Sequence, residues 1–433
     1  MEAKAIRRFQ RGVQVGIRRW RASLFGSHSG CGTISRDRSA GETSGTFFSH
    51  MSETEIARST IRGRSMRAVG LLTEDDWLVV GWVLAVKFLL FVFGAKSYQI
   101  LEDKSLQGAY AWFEIWNRWD SLHFQRLAQF GYSAKDTLKA WFYPLFPWSV
   151  RLFGHLTGDY LVGAFIVSAI ASIVAAVLLR RLVNLDFPAV VAQRATWFFL
   201  IFPTAYFLHI GYTESLFLAL GLGSLMAART ERWWLAGGLG ALAWMTRAPG
   251  AILVPTLAVE AMHQYWVTRR WKWQWLWIAL VPVGFGVYLM VNWRVTGDPF
   301  AFLRMRQKLF AMSTSWPWVG IREAIGSFDR TANEAEMVGA QELSFVTLSL
   351  ICTIVSWIKL RPLYAMWMTG NWLLFTSVTF IASAPRYTLA LFPIFILFAL
   401  VARNRFWNAV ITVWSLLFFA LFASLFVRGW WAF

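Results

Sequence analysis

The stretch WLVVGWVLAVKFLLFVFGA (residues 77–95) decides the fold of this chain. It is apolar throughout except for Lys87. As an α-helix, a run of this length can cross a hydrocarbon core of roughly 30 Å. In lipid, a segment must satisfy its own backbone hydrogen bonds, and a helix does so. The run therefore predicts a transmembrane helix.

Ten further apolar runs follow the first. The chain is 57% hydrophobic, with 27 Trp and 37 Phe, so we expect an all-α polytopic integral membrane protein with about 11 transmembrane helices. WMTRAPGA (244–251) interrupts two short runs, which form either a helical hairpin or one irregular span. The runs cover 159–179, 189–208, 212–228, 233–246, 250–265, 273–293, 342–358, 362–382, 387–402 and 406–427.

The basic residues predict how the chain lies in the membrane. Residues 1–70 carry 13 Lys/Arg against 5 Asp/Glu, and we expect a disordered cytoplasmic tail ahead of a single transmembrane domain, 71–433. An organelle transit peptide, or translation that starts at Met51, would also explain the tail. If both short runs cross, every short loop on the tail's side is basic, as the positive-inside rule requires. These loops contain Arg180, Arg181, Arg229, Arg232, Arg269, Arg270, Lys272, Lys359, Arg361, Arg403 and Arg405.

The net charge of +18 would indicate a nucleic-acid partner in a soluble protein. Here the charge lies in the tail and in the loops that set topology, so we expect no nucleic-acid partner. Cys31 and Cys352 are far apart in the sequence. They predict neither a zinc site nor a disulfide framework.

The unusual polar residues gather on the opposite, non-cytoplasmic side. This side receives five segments: 96–158, 209–215, 246–250, 294–341 and 383–387. A collection of charged residues on one face predicts an active or binding face. A secondary transporter or lipid flippase is the alternative, but it would place its polar groups near the bilayer midplane.

WNRWDSLHFQRLAQFGY (116–132) holds the most unusual carboxylate, Asp120. In a helix, Asp120 and His123 lie on one face. A carboxylate among aromatic residues is costly to desolvate, and it suits proton abstraction. The alternative is an ion pair with Arg118 or Arg126 that fixes the loop. Downstream, WFYPLFPWSVRLFG (141–154) is too broken by proline for a simple span and predicts an interfacial helix or a short re-entrant piece.

A second group of charges follows along the same face. Glu214 lies where a helix begins, so it is either a dipole-favoured acid or a second carboxylate that accepts hydrogen bonds from substrate hydroxyls. Arg247 and Arg386 each lie close to a proline at the outer end of a run. Each is explained by snorkelling to headgroups, and the two together also suit a phosphate. Lys87, in mid-span, is either functional or part of a structural ion pair.

Six motifs in order resemble one family from about residue 77 to 427. It is the integral-membrane mannosyltransferase family that adds the second mannose of glycosylphosphatidylinositol anchors, together with its bacterial relatives. The order of all six is far more specific than any one of them. The motifs are RWDSLHFQRLAQFGY, FYPLFP, FPTAYFLHIGYTESLF, AGGLGALAWMTRAPGAIL, GDPFAFL and PRYTLALFPIF.

The resemblance implies a GT-C-like glycosyltransferase that is active on the non-cytoplasmic side. It would move a sugar, with inversion, from a polyprenyl-phosphate donor to a hydroxyl of a lipid or glycan acceptor. A bacterial chain would lie in the cell membrane and a eukaryotic one in the endoplasmic reticulum. A cofactor is not certain, although carboxylates at a phosphate site could recruit a divalent metal ion.

The resemblance also assigns roles to individual residues. Asp120 matches the essential acid of the first outer loop and would be the general base. Arg247 and Arg386 would hold the leaving phosphate. The remaining candidates would contact substrate: Glu214 and His123 the acceptor, Trp119 and Tyr387 the sugar or prenyl carbons.

Overall fold

The structure is a computed structural model that describes residues 72–108, 110–134, 137–310, 312–326 and 340–431, apart from the side chains of 137–138 and 309–310. All of these residues belong to one compact unit, 57–433. The predicted tail, 1–70, lies outside the described residues.

Helices make up the regular structure of these described ranges. Thr314 and Val378 form an isolated antiparallel β-bridge. The α-helices are α1 Glu74–Glu102, α2 Ala111–Glu114, α3 Asp120–Phe130, α4 Leu145–Thr157, α5 Tyr160–Asn184, α6 Ala189–Ile201, α7 Glu214–Arg229, α8 Trp233–Trp244, α9 Leu253–Thr268, α10 Val281–Thr296, α11 Ala301–Phe310, α12 Pro317–Gly326, α13 Ala340–Lys359, α14 Pro362–Thr376, α15 Ala384–Leu389, α16 Pro393–Val401 and α17 Arg405–Val427. Short 3₁₀ helices cover Thr137–Trp141, Ala205–Leu208, Ala248–Ile252 and Trp273–Leu280.

Each of the eleven apolar runs coincides with helical structure, which confirms the all-α polytopic class. Five segments of the described chain are long and apolar enough to cross a membrane. The count of eleven crossings stays a prediction, because several runs are divided into shorter helices. The five segments are α1, α5, Trp273–Thr296, α13 and α17.

Proline explains much of this division. Pro203 lies between α6 and the 3₁₀ helix Ala205–Leu208, and Pro393 begins α16 after a break that follows α15. Proline lacks an N–H, and its ring clashes with the preceding turn, so a helix rarely continues through it. The predicted runs 189–208 and 387–402 each become two helices for this reason.

The first span is longer than its apolar run predicts. Helix α1 begins behind a Thr73 capping box and continues through Glu102, where Asp103 ends it with a φ of 51°. No Gly or Pro lies between residues 96 and 102 to end the helix earlier. The predicted outer loop, 96–158, is itself largely helical and contains α2, α3 and α4.

The WMTRAPGA interruption is the bend of a helical hairpin. Helix α8 ends at Trp244, and α9 begins at Leu253. Glu260 of α9 lies 3.8 Å from Arg229, the last residue of α7, and 2.8 Å from Arg361. Helix α9 therefore returns to the end of the molecule from which α8 departs, as the hairpin alternative requires.

Helix α5 occupies the centre of the bundle, in contact with α1, α4, α6 and α7. On one side of the bundle, α8 packs closely against α10. A side chain at Gly284 of α10 would overlap the carbonyl oxygen of Ala241. Glycine here lets two helix backbones approach each other, as small residues do in membrane bundles.

Candidate active site

Four charged side chains from four segments form one continuous chain of ion pairs, which we name the Asp120 ion chain. Arg386 Nη1 donates to Asp120 Oδ2 at 2.8 Å, and Arg386 Nε donates to Glu214 Oε1. Arg247 Nη1 donates to the same Glu214 oxygen. Arg247 also donates to Thr213 Oγ1 at 3.2 Å. The order of the chain is Asp120–Arg386–Glu214–Arg247.

Asp120 is the accessible end of this ion chain. Its side chain is 34% exposed, whereas Arg386 is 9% and Glu214 4% exposed. Arg247 at the other end is 13% exposed. Buried ion pairs need a partner for every charge, and this ion chain supplies them. A reacting molecule can therefore reach the Asp120 carboxylate more easily than the Glu214 carboxylate.

The turn before α3 fixes the position of Asp120. Asn117 and Gln125 exchange two side-chain amide hydrogen bonds, at 2.7 and 3.2 Å. Trp119 adopts a φ of 54° immediately before the helix. A residue other than glycine in this region costs about 1–3 kcal/mol and persists where its surroundings hold it. Asp120 is then the first residue of α3, where the helix dipole favours a negative charge.

The Arg118 side chain bonds backbone carbonyls and does not form the ion pair with Asp120 that the sequence offered as an alternative. Its guanidinium donates to the carbonyls of Ile115 and Val427, at 3.3 and 3.2 Å. Its own carbonyl accepts from the Tyr212 hydroxyl at 2.7 Å. Arg118 thus ties the turn before α3 to the segments that contain Val427 and Tyr212. The ion-pair partner of Asp120 is Arg386 and not Arg118.

Arg386 is enclosed by aromatic and acidic groups. Its guanidinium carbon lies 4.8 Å from the ring centroids of Phe207 and Tyr212. Burial alone lowers the pKa of this guanidinium, but the Glu214 and Asp120 carboxylates raise it, and the pKa lies well above its ordinary value. Arg386 is therefore a permanent cation between two carboxylates.

The segment that carries Arg386 is held at its start by Glu342, a residue that the sequence analysis did not select. The buried Glu342 carboxylate accepts from the backbone N–H of Ser383 at 3.1 Å and of Ala384 at 2.6 Å. The Pro385 carbonyl accepts from the Thr204 hydroxyl at 3.0 Å. In the sequence, Glu342 is marked only as an acidic residue at the start of the apolar run 342–358.

The other residues predicted to contact substrate are Tyr387, Trp119 and His123, and they differ in what they pack against. Tyr387 presents its ring to Arg247, 5.8 Å from the guanidinium carbon. Trp119 packs edge-on against Trp431, with ring centroids 5.1 Å apart. His123, one turn after Asp120, is exposed and stacks on Phe142.

The charged residue in the middle of the first run bonds to backbone. Lys87 Nζ donates to the carbonyl of His209 at 2.8 Å. It also lies 5.7 Å from the ring centroid of Phe91. This bond joins α1 to the segment that leads into Glu214.

The carboxylates of the ion chain do not form a donor set for a metal ion. Asp120 and Glu214 both accept from guanidinium groups. Among the residues that the structure describes, no group of three or more His, Cys, Asp or Glu side chains could hold a metal.

The geometry defines a polytopic helical membrane protein with a charged site built from distant segments. Residues 102–277 match the sequence model of the mannosyltransferase (PIG-V) family. The family resemblance expected from the motifs is thereby confirmed over these residues, which are less than half of the chain. The matched range contains Asp120, Glu214 and Arg247, while Arg386 joins them from outside it.

Structural comparison gives a more distant likeness. A crystal structure of the Archaeoglobus fulgidus oligosaccharyltransferase, tethered with an acceptor peptide, aligns with a TM-score of 0.43 and 11% sequence identity. The alignment covers 81% of this chain and 55% of that one, so this chain spans about half the length of that protein. At this TM-score the likeness says nothing further about fold or function. No curated protein matches the chain.

Proposed function

We propose that this protein is a membrane glycosyltransferase of the GT-C type, most specifically a mannosyltransferase. It moves a hexose from a polyprenyl-phosphate donor to a hydroxyl of a lipid or glycan acceptor on the non-cytoplasmic face. The observation that carries the proposal is the accessible Asp120 carboxylate at the end of a buried ion chain. The match of residues 102–277 to a mannosyltransferase family supports the reaction class.

In this reaction Asp120 is the general base. Its carboxylate takes the proton of the acceptor hydroxyl, and the acceptor oxygen then forms a bond to the anomeric carbon of the sugar. The bond from that carbon to the phosphate oxygen breaks on the opposite face, which inverts the anomeric configuration. The pair with Arg386 orients Asp120 for the proton transfer.

The two arginines provide the hydrogen-bond donors for the leaving phosphate. Negative charge grows on the phosphate as its bond to the sugar breaks, and preorganised guanidinium donors stabilise that charge. Glu214 accepts from both arginines and so holds them at a fixed separation. Glu214 and His123 would orient the acceptor, and Trp119 and Tyr387 would pack on sugar or prenyl carbons. Tyr387 lies beside Arg247 at one end of the ion chain.

An apolar groove between the helices supports a lipid-linked substrate. The groove has a volume of about 470 Å³ and lies between α4, α5, α7 and α8. Phe153, Val167, Leu216 and Leu239 are among its lining residues. The groove follows α7 and the residue after it, from Leu216 to Thr230, and is lined mostly by apolar side chains, which suits the hydrocarbon chain of a lipid-linked substrate.

The first experiment measures transfer of radiolabelled mannose from a short-chain polyprenyl phosphate mannose to total lipid extract. Purified wild type is compared with Asp120→Asn, which keeps the shape of the side chain and removes the base. We expect the variant to lose about 10²- to 10⁴-fold in rate, the usual contribution of a general base. Glu102→Gln is the matched control, because Glu102 is a partly buried acid paired with Arg428 outside the ion chain.

Equal transfer by wild type and Asp120→Asn would contradict the base assignment. Absence of transfer by wild type with mannosyl, glucosyl and galactosyl donors would contradict the proposed activity. Flux of the labelled lipid across proteoliposomes without transfer would then favour a transporter or flippase.

A further inference from the structure

Glu342 lies in the first turn of α13, and its side chain is buried in the protein. Its two carboxylate oxygens are used separately. Oε1 accepts from the N–H of Ser383 at 3.1 Å, and Oε2 accepts from the N–H of Ala384 at 2.6 Å. A long apolar helix therefore begins with an acidic side chain that binds the backbone of a distant segment.

The bound segment is the start of α15, which contains Arg386. The first N–H groups of a helix lack partners within the helix. Pro385 has no N–H, so Ala384 and Ser383 hold the donors closest to the helix start. Glu342 accepts from both of them.

The backbone conformation at the same place needs such support. Ser383 has a φ of 62°, in the left-handed region that residues other than glycine rarely adopt. Such a conformation persists where the surroundings hold it. This turn sets the direction in which α15 leaves, and three residues later Arg386 bonds both Asp120 and Glu214.

We infer that Glu342 is a positioning residue for Arg386. By holding the start of α15, its carboxylate places the guanidinium between the two acids of the ion chain. The inference rests on the proposed function for its catalytic consequence, but the placement of α15 can be measured without activity. Glu342 touches neither substrate nor reacting atoms in this account, and it acts through Arg386.

Hydrogen–deuterium exchange tests the placement directly. Exchange in the peptide that covers 383–389 is compared between wild type, Glu342→Gln, Glu342→Ala and the control Glu102→Gln. We expect faster exchange at Ser383 and Ala384 in both Glu342 variants, and the wild-type rate in the control. The Gln variant keeps one carbonyl acceptor, so its increase should be the smaller one.

Kinetics test the consequence for catalysis. A displacement of a catalytic group by about 1 Å can cost roughly 100-fold in rate. We expect Glu342→Ala to lower kcat by about 100-fold, with the KM for acceptor within twofold of wild type, while Glu102→Gln keeps both values.

Two results would overturn the inference. Unchanged exchange at residues 383–384 would show that Glu342 does not hold α15. Faster exchange with an unchanged kcat would show that its hold on α15 does not matter for transfer. If wild type transfers no sugar, the proposed function fails, and the exchange measurement still decides whether Glu342 holds the start of α15.

Discussion

Arg386 bonds both carboxylates of the Asp120 ion chain. Lysine carries the same charge, but its donors all lie on one ammonium nitrogen, whereas arginine presents donors on three nitrogens of a planar guanidinium. A lysine at this position would therefore reach one carboxylate at a time. Two substitutions at this position separate the contribution of the positive charge from that of the guanidinium geometry.

We expect Arg386→Met to lower the free energy of unfolding by about 3–5 kcal/mol, because removing one partner leaves buried charges uncompensated. Arg386→Lys should cost less in stability, since it keeps a cation near Glu214. Both should lower the rate of sugar transfer. Thermal unfolding in detergent and the transfer assay would measure these effects.

Arg428→Met is the control for charge removal. Arg428 pairs with Glu102, and both side chains are about one quarter exposed. Such pairs contribute little, with a median of about 0–1 kcal/mol. If Arg428→Met destabilised the protein as much as Arg386→Met, burial of the ion chain would not explain its contribution.

At the scale of helices, the sequence predicts where the elements are better than where they end. Every apolar run is helical, and WMTRAPGA is a bend, as its Pro and Gly suggest. Helix α1 continues past its apolar run because helical hydrogen bonding does not require apolar side chains. The divisions at Pro203 and Pro393 shorten two predicted spans, since apolar composition alone ignores the missing N–H of proline.

Close packing of α8 against α10 makes a prediction at this scale. A Cβ added at Gly284 would overlap the carbonyl oxygen of Ala241, which is backbone and cannot rotate away. We expect Gly284→Ala to lower the free energy of unfolding by about 1–3 kcal/mol, the usual cost of overpacking. A thermal unfolding scan of the purified protein measures this effect.

Gly286 on the same helix supplies the matched control. A Cβ added there meets nothing within 4 Å. Replacing glycine with alanine in a helix interior otherwise stabilises it by roughly 0.5–1 kcal/mol. Gly286→Ala should therefore be neutral or stabilising. Equal losses in the two variants would contradict the proposed role of close backbone approach.

The partner of Asp120 could not be predicted from the sequence, for a reason that belongs to the whole molecule. Asp120 and Arg386 are 266 residues apart. Their contact depends on how α3 and α15 are placed by other helices, and the apolar pattern of the runs does not encode that placement. The sequence motifs contain the four residues of the ion chain, and tertiary packing determines which of them bond each other.

The orientation of the chain is also a property of the whole molecule. Helix α7 begins at Glu214 in the ion chain and ends at Arg229, which bonds Asp186 at 2.6 Å. A helix of this length separates its ends by roughly 24 Å. The positive-inside rule predicts that Arg229 lies on the cytoplasmic side, so we expect the ion chain on the other side.

Single cysteines can test this orientation in a background of Cys31→Ser and Cys352→Ser. Ser313 and Arg403 are exposed and are predicted to lie on opposite faces. A membrane-impermeant maleimide added to intact cells should label Ser313→Cys, and Arg403→Cys only after the membrane is opened. Labelling of both residues in intact cells would contradict the predicted topology.

The Asp120 ion chain contains two guanidinium groups and two carboxylates, so its formal charges cancel. A phosphate would therefore be recognised by local exchange of hydrogen-bond partners, with little attraction from a net field. Salt screens buried pairs much less than exposed charges. Ionic strength should then have little influence on recognition at this site, although the protein as a whole is strongly basic.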